Sequence, residues 1–333
     1  MRALRLLLTL LCLATFCWGT VHISQLRQIA MAYIGGNPGY QDVATLKGDV
    51  IISHSAADTV GIFDTVQRRV ISAIKVPKPR GIATDERTGM AYVAGAGDSG
   101  IVVISSQDWK QKGSIPLKLQ PGPLCISADG KLLFVGDDQD QSISVVNLAG
   151  NNEVNTQFVD GHPQALAFDR VQNRVYVSLE DQKQVIVLDP DLHVLQRFMV
   201  MGSQPSALVL DSPSRRVYVA VRYAVLMLDA DSGKELARVP APAGVDSLWL
   251  DRASGKLYAT SEDEIDVIRA NNSSLILLDT MPLQVRSHGI AVDSTKNTIY
   301  LPAGREGRSL VLILKPIEPV PGSVDASREA TVH

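Results

Sequence analysis

Cysteine is nearly missing from this 333-residue chain, which has only Cys12, Cys17 and Cys125. The first two fall in a stretch that reads as a removable leader, which leaves Cys125 alone. One thiol cannot form an internal disulfide, a haem-attachment pair or a zinc knuckle. Cys125 sits in an apolar run, where a buried, inert thiol is expected. Aromatic residues make up 5% of the chain and charged residues 20%, and no run of lysine or arginine occurs. A row of phosphates would find no basic stripe, so strong nucleic-acid binding is not expected. Long apolar segments are lacking too. The run from Leu6 to Phe16 is too short to cross a bilayer comfortably.

That run follows Arg2 and Arg5 and is followed by small residues near Gly19. A basic start, an apolar middle and a small-residue end make residues 1–19 a secretory signal, with an uncleaved anchor as the alternative. Cleavage would place the protein in the periplasm or outside the cell, with no membrane span. It would also take the formal charge from −3 to −5 through loss of the two arginines. Residues 316–333 hold three prolines and no apolar periodicity, and are expected to be a disordered tail.

Between these ends a pattern returns about every 40 residues. Apolar strands close on Asp85, Asp129, Asp169, Asp211, Asp251 and Asp293, at intervals of 44, 40, 42, 40 and 42. An aromatic follows each, at Tyr92, Phe134, Tyr176, Tyr218, Tyr258 and Tyr300. Self-similarity at this period, with four short β-rich runs per unit, marks a β-propeller. The recurring aspartates look like a row of metal ligands, but Asp at a strand end accepts hydrogen bonds from the next turn and recurs for that reason alone. Gly89, Gly130, Asn173, Gly255 and Asn297 are expected to supply positive φ in those turns. A first unit, from about Tyr40 to Val76, keeps the spacing with Leu46 and Ile51 in the marker places.

Seven units result, and the last lacks a fourth strand. Leu26-Arg-Gln-Ile-Ala-Met-Ala-Tyr-Ile34, followed by Gly35-Gly-Asn-Pro38, resembles the fourth strand and exit turn at Leu195–Pro205. The expectation is an all-β, seven-bladed β-propeller over residues 24–315, with four-stranded antiparallel blades. The N-terminal strand would complete the last blade and remove two open edges. The strings Val175-Tyr-Val-Ser178 and Val217-Tyr-Val-Ala220, the Pro-x-Ala-Leu entries at Pro163 and Pro205, and the period near 42 resemble the YVTN-type β-propeller repeat family. That resemblance covers nearly all of residues 24–315. It implies an exported seven-bladed propeller, often without an assigned reaction, whose relatives include lactonases and streptogramin-type lyases.

Aligning the units on the marker picks out the residues entering the channel mouth. Five places before it stand Gln41, Arg80, Leu124, Gln164, Ser206, Asp246 and His288. Two places earlier stand Lys78, Gly122, His162, Gln204, Gly244 and Arg286. These positions differ from blade to blade where their neighbours repeat, which suits a site; a wet channel mouth that tolerates any polar residue is the plainer explanation. Gln41, Arg80, Gln164, Asp246, Arg286 and His288 are the candidate ligand-binding residues. The arginines suit an anionic or carbonyl group, and His288 with Asp246 would form an acid–base pair. His54 and His162, with Asp138, Asp140, Glu180 or Glu262, could take a divalent cation, although no spacing is diagnostic. No cofactor is otherwise implied. Asn271 and Asn272 each open a glycosylation sequon, which matters only in a eukaryotic secretory pathway.

The functional expectation is a monomeric exported module that binds a protein partner or small ligand at the channel face, with no catalytic residues assigned. The alternative is an enzyme of lactonase or lyase type working at the same mouth.

Overall fold

The computed structural model describes residues 25–34, 39, 42–98, 100–137 and 139–317. The expected leader at 1–19, Gln41, Asp138 and residues 318–333 of the expected tail at 316–333 lie outside the described residues. Among the described residues, twenty-nine strands and one short 3-10 turn, Ser55–Ala57, make up the regular structure. No helix among the described residues is long and apolar enough to cross a membrane.

The strands form seven antiparallel sheets around an axis. Blades 1 to 6 span residues 43–75, 79–116, 121–158, 163–199, 208–240 and 247–282, each taking four consecutive strands in sequence order. The first strands of neighbouring blades face one another and line the channel. Second strands are buried on both faces, as along Arg174–Leu179, where only the arginine is partly open. Fourth strands such as Lys110–Pro116 are mostly exposed. Burial on both faces removes the alternation of a half-solvated strand, hence runs such as Val-Tyr-Val. The core is correspondingly divided into seven clusters, each filling the layer between two blades.

Blade 7 completes the ring. Thr298–Arg305 pairs with Arg308–Pro316, which pairs in turn with the N-terminal strand Leu26–Tyr33. The register runs from Leu26 opposite Pro316 to Tyr33 opposite Leu310. Each fourth strand carries one extra residue in a β-bulge: Ile29, Ile71, Lys112, Val154, Leu195, Leu236 and Leu278. Their spacing is 42, 41, 42, 41, 41 and 42, so Leu26–Tyr33 is a fourth strand by geometry as well as by pairing. A bulge twists the outer edge away from flat pairing, which protects every rim strand from adding another chain.

The marker aspartates cap turns. Asp85 Oδ1 accepts the Arg87 amide at 2.9 Å, Asp169 Oδ1 the Val171 amide at 2.9 Å, and Asp251 Oδ1 the Ala253 amide at 3.0 Å. Blade 1 needs no such cap. Its turn is two residues, Lys47 and Gly48, both at positive φ; the Lys47 amide donates to Glu86 Oε1 of blade 2 at 3.0 Å, and Leu46 is buried where other blades place an acceptor. All five residues expected at positive φ adopt it.

One alignment changes. Asp129 is not the equivalent of Asp85: the first strand of blade 3 ends at Ile126, and Ser127 pairs its amide with the Leu132 carbonyl. The Ser127 hydroxyl then accepts the Lys131 and Leu132 amides. With Ser127 as marker, the irregular 44 and 40 become 42 and 42. The mouth residue of blade 3 is then Gly122, and Leu124 takes the place of Ile82 in the ladder.

Candidate functional site

The connection entering a blade and the turn between second and third strands share one face. His162 donates its amide to Asp181 Oδ1 at 2.9 Å, Gln120 to Asp137 Oδ2 at 3.1 Å, and Lys78 to Asp58 Oδ1 at 2.8 Å. These bonds hold the loops of the channel mouth as a rigid collar.

In blades 5 and 6 the first strand begins at Leu208 and Ser247, and in blade 7 it is interrupted between Ser287 and Ala291. Ser206, Asp246 and His288 stand outside these paired segments, where Ser206 and Asp246 line one hollow and His288 another. His288 Nδ1 lies 2.7 Å from Asp246 Oδ2, joining blades 6 and 7. Both side chains are about two-fifths exposed, at 37% and 41%. The Asp246 hydrogen bond holds the imidazole above its ordinary pKa, aided by the charges of Asp246 and Glu262 and opposed by burial and Arg286. Arg286 Nη1 pairs with Glu262 Oε1 at 3.0 Å on the same side.

Hollows flank the Asp246–His288 bond. One, of about 280 Å³, is lined by His288, Glu262, Arg286, Arg305 and Glu306. The other, of about 370 Å³, is lined by Asp246, Glu180, Gln204, Ser206 and Arg222. The bonded pair therefore contributes one member to each. Opposite charges on both walls suit a ligand that is itself polar, rather than an apolar one.

The other sequence candidates are distributed. Gln164 donates Nε2 to Glu180 Oε2 at 2.9 Å, at the edge of the second hollow. Arg80 stands on blade 2, with blade 1 between it and the His288 pair. Gln41 lies outside the described residues. His54 and His162 belong to blades 1 and 4. His54 is buried, and burial alone pushes its imidazole down to about 4. His162 Nδ1 faces Asp181 Oδ2 at 3.1 Å. Among the described residues, the three ligating groups close enough to share an ion are Asp189, Asp191 and His193, on the opposite face. Cys125 is buried, and burial pushes its thiol up.

Arg222, Arg305 and Glu306 escape the sequence alignment, which tracks only the connection entering each blade. A second register, eleven places after the marker, would have found Arg222: it reads Ala96, Asp138, Glu180, Arg222, Glu262 and Gly304. Those positions break the repeat as sharply as the first set does.

No family model matches the chain, and no curated protein matches it in sequence. Solved structures match it through shape. A chain of Kuenenia stuttgartiensis hydrazine synthase is similar at 14% identity with a TM-score of 0.72, covering 83% of this chain and 95% of its own length. A chain of a mitotic checkpoint complex is similar at 13% identity and a TM-score of 0.77, covering 96% and 99%. The structure of U3-55K is similar at 12% identity and a TM-score of 0.69, covering 88% and 98%. At these identities the likeness establishes the architecture alone. The chain is a seven-bladed β-propeller.

Proposed function

We propose that this is an exported, monomeric propeller of the YVTN type that binds a partner or small ligand at its channel mouth. The Asp246–His288 bond carries the proposal. Two residues at non-repeating positions of neighbouring blades meet at 2.7 Å, with a charged hollow on either side. The turn caps recur in most blades, whereas these two residues do not recur, and both are partly open to solvent. Occurrence of the fold in a mitotic checkpoint complex supports docking as a use of such a surface, at the level of architecture.

The same bond favours one other reading. A carboxylate on Nδ1 orients an imidazole so that Nε2 can transfer a proton, as a lactonase- or lyase-type enzyme would need. A thermal-shift screen of the full chain with small carboxylic acids, amines and amino acids separates the two, since a ligand that binds only the folded form raises its melting point. Elemental analysis and a lactone-hydrolysis assay accompany it, all repeated on His288→Ala. Binding predicts ligands that stabilise the wild type and not the variant, with equal lactone turnover in both. Hydrolysis that His288→Ala abolishes, or a stoichiometric metal that it loses, would establish the enzyme instead.

A further inference from the structure

The hollow among blades 4, 5 and 6 has a more specific chemistry than its neighbour. Glu180 and Asp246 each use one carboxylate oxygen on the protein, for Gln164 Nε2 and His288 Nδ1. Among the described residues, no hydrogen bond or ion pair engages the second oxygen of either, or the guanidinium of Arg222. That guanidinium lies 5.3 Å from the centre of the Tyr223 ring, which supports it by a cation–π contact. The wall thus offers two carboxylate acceptors and one forked donor set. In the other hollow, by contrast, the Arg286 and Glu262 charges already satisfy each other.

The three charged residues are also anchored. The Glu180 amide donates to the His162 carbonyl at 3.2 Å, the Arg222 amide to Ser203 at 2.8 Å, and the Asp246 amide to Thr260 at 3.0 Å. Ser206 Oγ donates to the Val245 carbonyl at 2.6 Å and ties the floor between blades 5 and 6. Gly244, at φ +75°, leaves open space where a side chain would stand. Backbone bonds fix the main chain at each charged position, and Gln164, His288 and the Tyr223 ring support the side chains of Glu180, Asp246 and Arg222, which lowers the ordering cost of binding.

We propose that this hollow binds a small amino-carboxylate, with its ammonium between Glu180 and Asp246 and its carboxylate on Arg222. A simple cation would meet the repulsion of Arg222, and a simple anion that of the two carboxylates. A zwitterion satisfies all three. Arg in particular matches a carboxylate with two parallel hydrogen bonds. The inference deepens the proposal that the channel mouth is a recognition surface, and it rests on that proposal.

Calorimetric titration of the full chain with glycine, β-alanine and 4-aminobutyrate tests it, because the series varies the separation of the charges. Acetate and methylammonium serve as single-charge probes. At least one amino-carboxylate should bind saturably, with both single-charge probes weaker by about tenfold or more, as loss of one charge-assisted contact implies. Arg222→Gln and Glu180→Gln should each weaken that binding by about tenfold or more while melting as the wild type does. Acetate or methylammonium binding as tightly as the zwitterions would overturn the inference. So would an absence of saturable binding by all three amino-carboxylates, or binding indifferent to Arg222→Gln. If it falls while other ligands still stabilise the wild type and not His288→Ala, the recognition surface stands and only its assigned chemistry is wrong.

Discussion

Arg215, in the first turn of blade 5, donates from Nη1 to Oδ2 of Asp169, the last residue of the inner strand of blade 4, at 2.6 Å. Asp169 is fully buried, and the same guanidinium grips Asp231 through Nη2 at 2.7 Å. One side chain thus pins two blades where Gly or Asn fills the turn elsewhere, and Arg215 accepts positive φ to do so. Removing it strands a buried carboxylate. Arg215→Ala should cost about 3 kcal/mol in urea unfolding, the usual penalty for breaking a buried pair from one side. Arg215→Lys should recover only part of that, since a single ammonium cannot fork to both carboxylates.

The number of blades and the closing strand are legible in the sequence, because burial on both faces and tight turns force the same residue types to recur. Asp129 shows the limit. The eye follows the letter Asp, but the turn needs any acceptor at the strand end, and in blade 3 Ser127 supplies it two residues earlier. The mouth residue of blade 3 is accordingly Gly122 rather than Leu124. The bulge series from Ile29 to Leu278 was equally invisible, since a bulge is set by pairing register and six of its seven residues are simply apolar. The meeting of Asp246 and His288 could be anticipated from adjacent blades. The free guanidinium of Arg222 could not, because that depends on which neighbours turn away.

The His288 imidazole should titrate measurably. The folded imidazole has a raised pKa, so its contribution is fully present below the unfolded value of about 6.5 and is lost as pH rises through the folded one. A histidine-resolved NMR titration should place the His288 midpoint above that of a free imidazole. Asp246→Asn should move it down, because the hydrogen bond to the carboxylate is the largest cause of the shift. A midpoint that Asp246→Asn leaves unchanged would mean that the pair is not bonded in solution.

Blade 1 should show two opposing acid responses. Burial pushes His54 down to about 4, so its share of stability is present above about pH 6.5 and is lost as pH falls toward 4. Burial pushes Asp42 up from 3.8 to about 6, against the Ile82 and Val43 amides that it accepts. Its folded form therefore takes up a proton first, which favours folding as pH falls from 6 toward 4. Denaturant midpoints measured across that window should decline less in His54→Gln than in the wild type. They should decline more steeply in Asp42→Asn. Parallel curves for all three proteins would show that neither group changes its protonation on folding.

Ring closure makes the sharpest demand on the N-terminal strand. Leu26 is 2% exposed and packs with Leu283, Leu312 and Leu314 in the layer between blades 6 and 7, whereas Arg27 beside it is exposed. Leu26→Ala should therefore cost about 3 kcal/mol through lost burial and the cavity left behind. Arg27→Ala should stay within about 0.5 kcal/mol, as an ordinary surface change does. Deleting residues 25–34 removes the whole pairing with Arg308–Pro316 and bares an apolar strand on which Leu310, Leu312 and Leu314 are all buried in the intact ring. The truncated chain should lose its single cooperative melt and associate through the new edge. If it instead melts at the wild-type temperature as a monomer, the strand is an accessory to the ring and the pairing with Arg308–Pro316 contributes little to holding blade 7 in place.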